Sequence, residues 1–206
     1  MRSAAVDVSY EGYGKFFPIL EKNEGQNEIE RSYFASGRIN VDASSEHSRL
    51  TLAYGLFGLY RRRSIVSSAF TSEEYRIVDL PKTLVNRNEG QEIIGQNLDR
   101  VLYTHSLGQV DFLLGRQPIF FGGGRMVNPT DVFVPFTILD LDREFRRGID
   151  AVRGRWALGE LSELDVGVVL GKNAEQEKNA YYLRLKGHGA GVALEWIAMQ
   201  YLKASL

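Results

Sequence analysis

The residues with most chemistry to offer are arginines and acids gathered in one region of the chain. Arg116, Arg125, Arg143, Arg146, Arg147, Arg153 and Arg155 are interspersed with Asp131, Asp140, Asp142, Glu144 and Asp150. Guanidinium and carboxylate groups fixed opposite one another across water set a transverse field that sorts solutes by charge. The same residues equally suit a loop salt-bridged to a wall, and both readings stay open. Carboxylates alternate at Asp140, Asp142 and Glu144 with Asp131 nearby, a set of hard oxygen donors of the kind calcium takes. A solvated acidic loop uses the same residues, so neither a metal nor another cofactor is expected.

Other chemical motifs dissolve on inspection. The run Gly122, Gly123, Gly124 lacks the Lys-Ser or Lys-Thr of a phosphate-binding loop, and no G-x-G-x-x-G opens a helix. Its use is steric, since glycine lets a backbone turn tightly or lie close to a wall. Asn128, Pro129, Thr130 and Asp131 are turn chemistry. The three histidines, His47, His105 and His188, lie far apart in the chain, and there is no cysteine. A histidine-rich or thiolate metal site is therefore not expected. G-x-S-x-G and H-E-x-x-H are both absent, and no enzymatic activity is expected. With 25 basic and 26 acidic residues spread along the chain, net charge −1, nucleic acid is not an expected partner.

The elements that carry these residues show themselves as strands. Apolar runs such as 52–60 fall far short of the roughly 18 residues of a membrane-spanning helix. Alternation with period two instead returns in stretches of about ten residues, the length of a tilted transmembrane strand. Tyr33, Ala35, Gly37, Ile39, Val41 and Ala43 oppose Phe34, Ser36, Arg38, Asn40 and Asp42; Leu50, Leu52, Tyr54, Leu56, Gly58 and Tyr60 oppose Arg49, Thr51, Ala53, Gly55, Phe57 and Leu59. Val110, Phe112 and Leu114 oppose Asp111, Leu113, Gly115 and Gln117. Further on, Val152, Trp156 and Leu158 oppose Arg153 and Arg155, and Leu164, Val166, Val168 and Leu170 oppose Asp165, Gly167, Val169 and Gly171. Tyr181, Leu183 and Leu185 oppose Tyr182, Arg184 and Lys186, and Val192, Leu194 and Trp196 oppose Ala193 and Glu195.

Connections alternate in length. Short turns are expected at 44–47, 107–108, 159–162 and 188–190, and long connections at 14–30, 61–96, 118–147 and 172–178. Outer-membrane barrels alternate short turns and long loops in this way. The stretch 69–80 is strand-like, but counting it would break the alternation, so it is assigned to a loop. About nine spanning strands result, whereas single-chain bacterial barrels have an even number. Residues 1–5 carry no apolar signal segment, and the chain ends Lys203, Ala204, Ser205, Leu206 without a terminal aromatic. The expectation is a fragment: one all-β domain over 1–206, a partial antiparallel transmembrane β-barrel with its apolar face toward lipid.

Between 98 and 170 the order Leu98-Asp99-Arg100, Gly115-Arg116-Gln117, Gly122-Gly123-Gly124-Arg125, Asn128-Pro129-Thr130-Asp131, Asp142-Arg143-Glu144 and Gly148-Ile149-Asp150-Ala151 resembles a family of bacterial porin-like outer-membrane proteins, distantly similar to the alginate-export barrels. The resemblance implies an outer-membrane location, contact with lipid, and a channel for passive passage of small or oligomeric polar solutes. It admits a homo-oligomer. The alternatives are a barrel that binds or helps export surface polysaccharide, one without transport activity, and a soluble all-β domain with the faces reversed. On the channel reading Arg38, Asp111, Arg116, Gln117, Arg125, Asp131, Arg143, Arg147, Asp150, Arg153, Arg155 and Arg184 line the pore or its constriction. The loop 118–147 folds into or over the lumen, because its apolar residues, among them Ile119, Phe120, Phe121, Val132, Phe133, Val134 and Phe136, are each worth roughly 1.5 to 3 kcal/mol when buried.

Overall fold

The computed structural model describes residues 5–22, 29–61, 75–88, 91–121, 133, 147–189 and 191–201. Ten strands form one antiparallel sheet: β1 (Asp7–Lys22), β2 (Ile29–Ser44), β3 (Ser48–Arg61), β4 (Thr83–Arg87), β5 (Glu92–Leu107), β6 (Val110–Gln117), β7 (Ile149–Gly159), β8 (Ser162–Val169), β9 (Ala180–Gly189) and β10 (Val192–Tyr201). Nine of them run as an up-and-down meander in chain order, and the short β4 pairs with β5 beside that path. No α-helix occurs among the described residues. β1 and β10 are the two edges, so the described sheet is open.

The nine meander strands and the short turns match the sequence reading, and the described part of 69–80, residues 75–80, is not strand. Two expected boundaries are corrected. The connection placed at 14–30 is mostly strand, because β1 runs on to Lys22 and β2 begins at Ile29. Adjacent Phe16 and Phe17 followed by Pro18 hide the alternation there; proline is tolerated because β1 is an edge, where a missing N–H need not break a ladder on both sides. The connection placed at 61–96 contains β4, and β5 already starts at Glu92. The reason is length. β5 has 16 residues and β6 only 8. β5 uses one edge for β3 along its length, while its other edge takes β6 at 101–107 and β4 at 92–95. Where β6 ends, the segment containing β4 takes over its place beside β5.

The strands are staggered. Following paired residues across the sheet from the first residue of β1, the line passes Asp7, Ser44, Arg49, Thr104, Leu113, Arg153, Gly167, Tyr182 and Met199. It thus starts at one end of β1 and finishes near the far end of β10. A constant drift of this sense is strand tilt, the geometry by which a sheet curls toward a barrel.

Those aligned residues share one face of the sheet. That face carries the charged groups: Arg38, Asp99 and Asp165 are buried on it, and Phe121 of the long loop packs against its Tyr182. The opposite face is apolar and bare. Ile39, Leu56, Leu114, Val152, Trp156, Val166, Leu185, Leu194 and Trp196 are all exposed. Among the described residues the exposed large hydrophobics far outnumber the buried ones. A buried apolar cluster of described residues lies on the polar face, where Ile119, Phe121 and Phe133 of the long loop meet Ile149, Ala151, Val169, Ala180 and Tyr182.

Gly115 marks the point where β6 leaves β5. Its φ is +111°, a region open essentially to glycine alone, and a Cβ there would stand 2.1 Å from the Val101 carbonyl oxygen. Gly115→Ala is expected to lower stability by at least about 1–3 kcal/mol, the usual size of such backbone strain. Gly159→Ala, where a Cβ meets nothing within 4 Å, is the control and should shift little. Urea unfolding of the refolded chain measures both; equal shifts would contradict this account of Gly115.

Candidate functional site

Three of the sequence motifs meet at the end of β6. Leu98-Asp99-Arg100 lies on β5, Gly115-Arg116-Gln117 ends β6, and Gly148-Ile149-Asp150-Ala151 opens β7. A β-bulge makes the first of these work. Ala53 pairs with Arg100 and Tyr54 with Leu98, so Asp99 has no partner across the ladder. A bulge re-aims a side chain, and here it brings Asp99 to the buried polar face, 2.6 Å from Arg38. The Gly148 amide donates to the same carboxylate at 3.1 Å. Only glycine fits at 148, since a Cβ would stand 2.0 Å from the Asp99 carbonyl oxygen.

The segment 75–80 closes this junction. Arg76, 1% exposed, donates from Nε to the Gly148 carbonyl at 2.9 Å and from Nη1 to Asn97 at 2.8 Å and Asp79 at 3.0 Å. Arg116 binds Asp150 through Nε at 2.8 Å and also donates to the carbonyls of Leu98 and Val78. Asp150 accepts from the Ile77 amide at 2.8 Å, and its own amide donates to the Tyr75 carbonyl at 2.9 Å. Three arginines (Arg38, Arg76, Arg116) and three aspartates (Asp79, Asp99, Asp150) thus meet in one network, buried apart from the partly exposed Asp79, which Lys82 also approaches at 3.9 Å. Bonds to the surrounding backbone satisfy part of the remaining capacity, which lowers the cost of burying ions.

Further pairs line the polar face. Arg153 binds Asp165, which also accepts from the Tyr182 hydroxyl at 3.0 Å, and Arg153 reaches Gln117 at 3.3 Å. Arg155 binds Asp111 at 3.2 Å, and Asp111 accepts from Ser106 at 2.7 Å. Arg184 binds Glu195 at 2.6 Å. Toward the short hairpin turns an open polar cavity of about 620 Å3 is lined from β2, β3, β5, β6 and β7, including Arg49, Thr51, Arg100, Asp111, Arg153 and Arg155. Five successive strands facing one cavity mean that the sheet bends around it.

Of the residues expected at a pore, Arg38, Asp111, Gln117, Arg153, Arg155 and Arg184 lie on the polar face, each with a polar partner. Only Asp111, Gln117, Arg153 and Arg155 of these border the cavity. Arg116 and Asp150 are closed over by the segment 75–80 and tie the wall together. Arg147 stands beside Gly148 and is half-buried. Arg125, Asp131, Arg143, Gly122, Gly123, Gly124, Asn128 and Pro129 lie outside the described residues. Sequence reasoning missed Arg76 and Asp79, which sit in an apparently featureless connection, and the bulged Asp99, whose role no alternation announces.

Removing one member of the buried network should be far more damaging than removing one from the exposed pair. Asp99→Ala strands Arg38 and weakens Arg76, and is expected to cost about 3–5 kcal/mol. Asp111→Ala, whose pair with Arg155 is more than one third exposed, should cost about 0–1 kcal/mol. Denaturant midpoints of the two variants decide the matter, and similar losses would show that the junction does not hold the sheet.

No protein-family model, curated protein or solved structure matches this chain, and the reading of the site rests on its geometry.

Proposed function

We propose that this sheet is the wall of a porin-like β-barrel in a bacterial outer membrane, through which small or oligomeric polar solutes pass passively. The carrying observation is the inversion of the faces: charged pairs are buried on one side, while leucines, valines and aromatics stand exposed on the other. Burying a large apolar side chain is worth roughly 1.5 to 3 kcal/mol. Leaving about ten of them half-bare in water forgoes as much as the whole net stability of a domain, about 5–15 kcal/mol. An apolar medium removes that deficit, and in such a medium a sheet must close so that no edge amide is left unbonded.

Aromatic placement supports the same reading. Tyr103, Phe112, Trp156 and Trp196 lie no more than four residues from the hairpin ends of their strands, and Phe16, Tyr33 and Tyr60 nine to twelve residues from theirs. Phe16, Tyr33 and Tyr60 form a continuous row, with ring centroids 6.0 and 6.1 Å apart. About seven residues separate the two belts, some 20–25 Å along a strand at roughly 3.3 Å per residue, or about 15–20 Å of height at a tilt of roughly 35–45°. Outer-membrane barrels likewise set an apolar band, about 25 Å tall, between aromatic girdles. The likeness of the motifs to porin-like and alginate-export barrels belongs to this proposal.

Ile119, Phe121 and Phe133 are buried on the polar face, which supports a long loop that folds inward and narrows the lumen. Reconstituted in planar bilayers, the full chain should give discrete, ohmic current steps. Arg143→Glu combined with Arg147→Glu should move the reversal potential in a salt gradient toward cation selectivity while the barrel still assembles. Absence of current from properly folded protein would overturn the channel reading, and sugar binding at the outer surface in that case would favour a polysaccharide-binding barrel.

A further inference from the structure

A polar cluster stands on the apolar face, where passage of solutes along the other face has no use for it. Ser48 opens β3 opposite His105 of β5, and Leu50 stands opposite Tyr103. Ser48 and Leu50 flank Arg49, and Tyr103 and His105 flank Thr104; Arg49 and Thr104 belong to the polar face, so these four lie on the apolar one. Ser48 Oγ is 2.9 Å from His105 Nδ1 and 3.1 Å from the Tyr103 hydroxyl. The Tyr103 and His105 rings are stacked, 8° apart in plane, which steadies the imidazole beside the serine. Around the cluster the face is apolar: Phe112 lies opposite His105 and Leu114 opposite Tyr103, both more than half exposed. Ser48 and His105 are 57 residues apart in the chain, so no short motif announces the pair.

We propose that this cluster hydrolyses acyl esters of phospholipids, with Ser48 as nucleophile, His105 as general base and Tyr103 donating to the carbonyl oxygen. A serine hydroxyl is a weak nucleophile until an adjacent base takes its proton, and an O–H donor beside it stabilises the charge that develops on the carbonyl oxygen. Ser48 Oγ attacks the ester carbonyl carbon as its proton passes to His105 Nδ1. That proton then goes to the leaving glycerol oxygen, which releases a lysophospholipid and leaves acyl-Ser48. Water, deprotonated by His105, attacks the acyl carbon; the fatty acid departs and Ser48 regains its proton. The place suits the substrate. Tyr103 belongs to the belt of aromatics near the hairpin ends, and such belts sit at the headgroup level of a bilayer, beside the ester carbonyls. That the ester is a lipid rests on the membrane reading of this face; the chemistry of the pair does not.

The test uses the full chain, refolded from urea into mixed micelles of detergent and phosphatidylethanolamine, with folding checked by heat-dependent gel mobility. Release of fatty acid is expected, lowered by at least about a hundredfold in Ser48→Ala and in His105→Gln. Tyr103→Phe keeps the ring and removes only the hydroxyl, and should lower release by about a hundredfold. His47→Gln, in the turn beside Ser48, should change nothing. An alkyl fluorophosphonate should form its adduct on Ser48 of the unaltered chain, a readout that no variant has to fold to supply. Folded protein that releases no fatty acid and carries no adduct on Ser48 overturns the proposal, as does release that persists in Ser48→Ala or His105→Gln. Ser48-dependent cleavage of a water-soluble short-chain ester with phospholipid left intact overturns the lipid substrate. Release that depends on Ser48 without current in bilayers overturns the channel reading and leaves the hydrolase standing. Current without release or adduct overturns the hydrolase alone.

Discussion

Charge pairing on one face of the sheet is the constraint from which the rest follows. In a strand every second side chain lies on the same side, so a sequence that puts leucine, valine and aromatic residues on one face puts its arginines and aspartates on the other. Where that face bends and is covered the ions lose water, and an unpaired buried ion costs several kcal/mol. Arg38 with Asp99, Arg116 with Asp150, Arg153 with Asp165 and Arg184 with Glu195 are the answer distributed along the wall. Each joins residues of different strands, so the pairs that neutralise the face also fix which strand stands against which.

The junction at the end of β6 shows how far the wall goes to keep this balance. β6 stops early, and the chain beyond it turns onto the polar face, where Ile119 and Phe121 are buried with Phe133. A shortened strand leaves a neighbour's amides and carbonyls without partners, which a buried position does not tolerate. Residues from the preceding long connection fill the place: β4 pairs with β5, and 75–80 bridges to β7 and to the connection after β8 through Asp150 and Asn173. The turn of the chain onto the polar face after β6 and the pairing of β4 with β5 are thus one arrangement, held by Arg76 and Arg116.

Much of this was legible in the sequence, and the reason is periodicity. Alternation in 33–43, 49–60 and 164–170 placed β2, β3 and β8 and told the two faces apart, and the rhythm of short and long connections gave nine meander strands. Alternation fails where strands bend or end. The phenylalanine pair and proline at 16–18 concealed the upper part of β1, and the bulge at Asp99 put a carboxylate where a strict two-residue period has no place for it. Arg76 carries no local signal at all, because its value comes from a gap between β5 and β7 that exists only in the folded sheet. Three of the short stretches whose order resembles a porin-like family converge on one buried junction.

The central claim is that the apolar face meets hydrocarbon. Trp156 and Trp196 are the chain's only tryptophans, and both stand exposed on that face. Their fluorescence should be strongly quenched when the full chain is folded into vesicles of lipids brominated along the acyl chains, and only weakly by acrylamide in the surrounding water. Bright tryptophans in brominated lipid that acrylamide readily quenches would contradict the account and put this face in water.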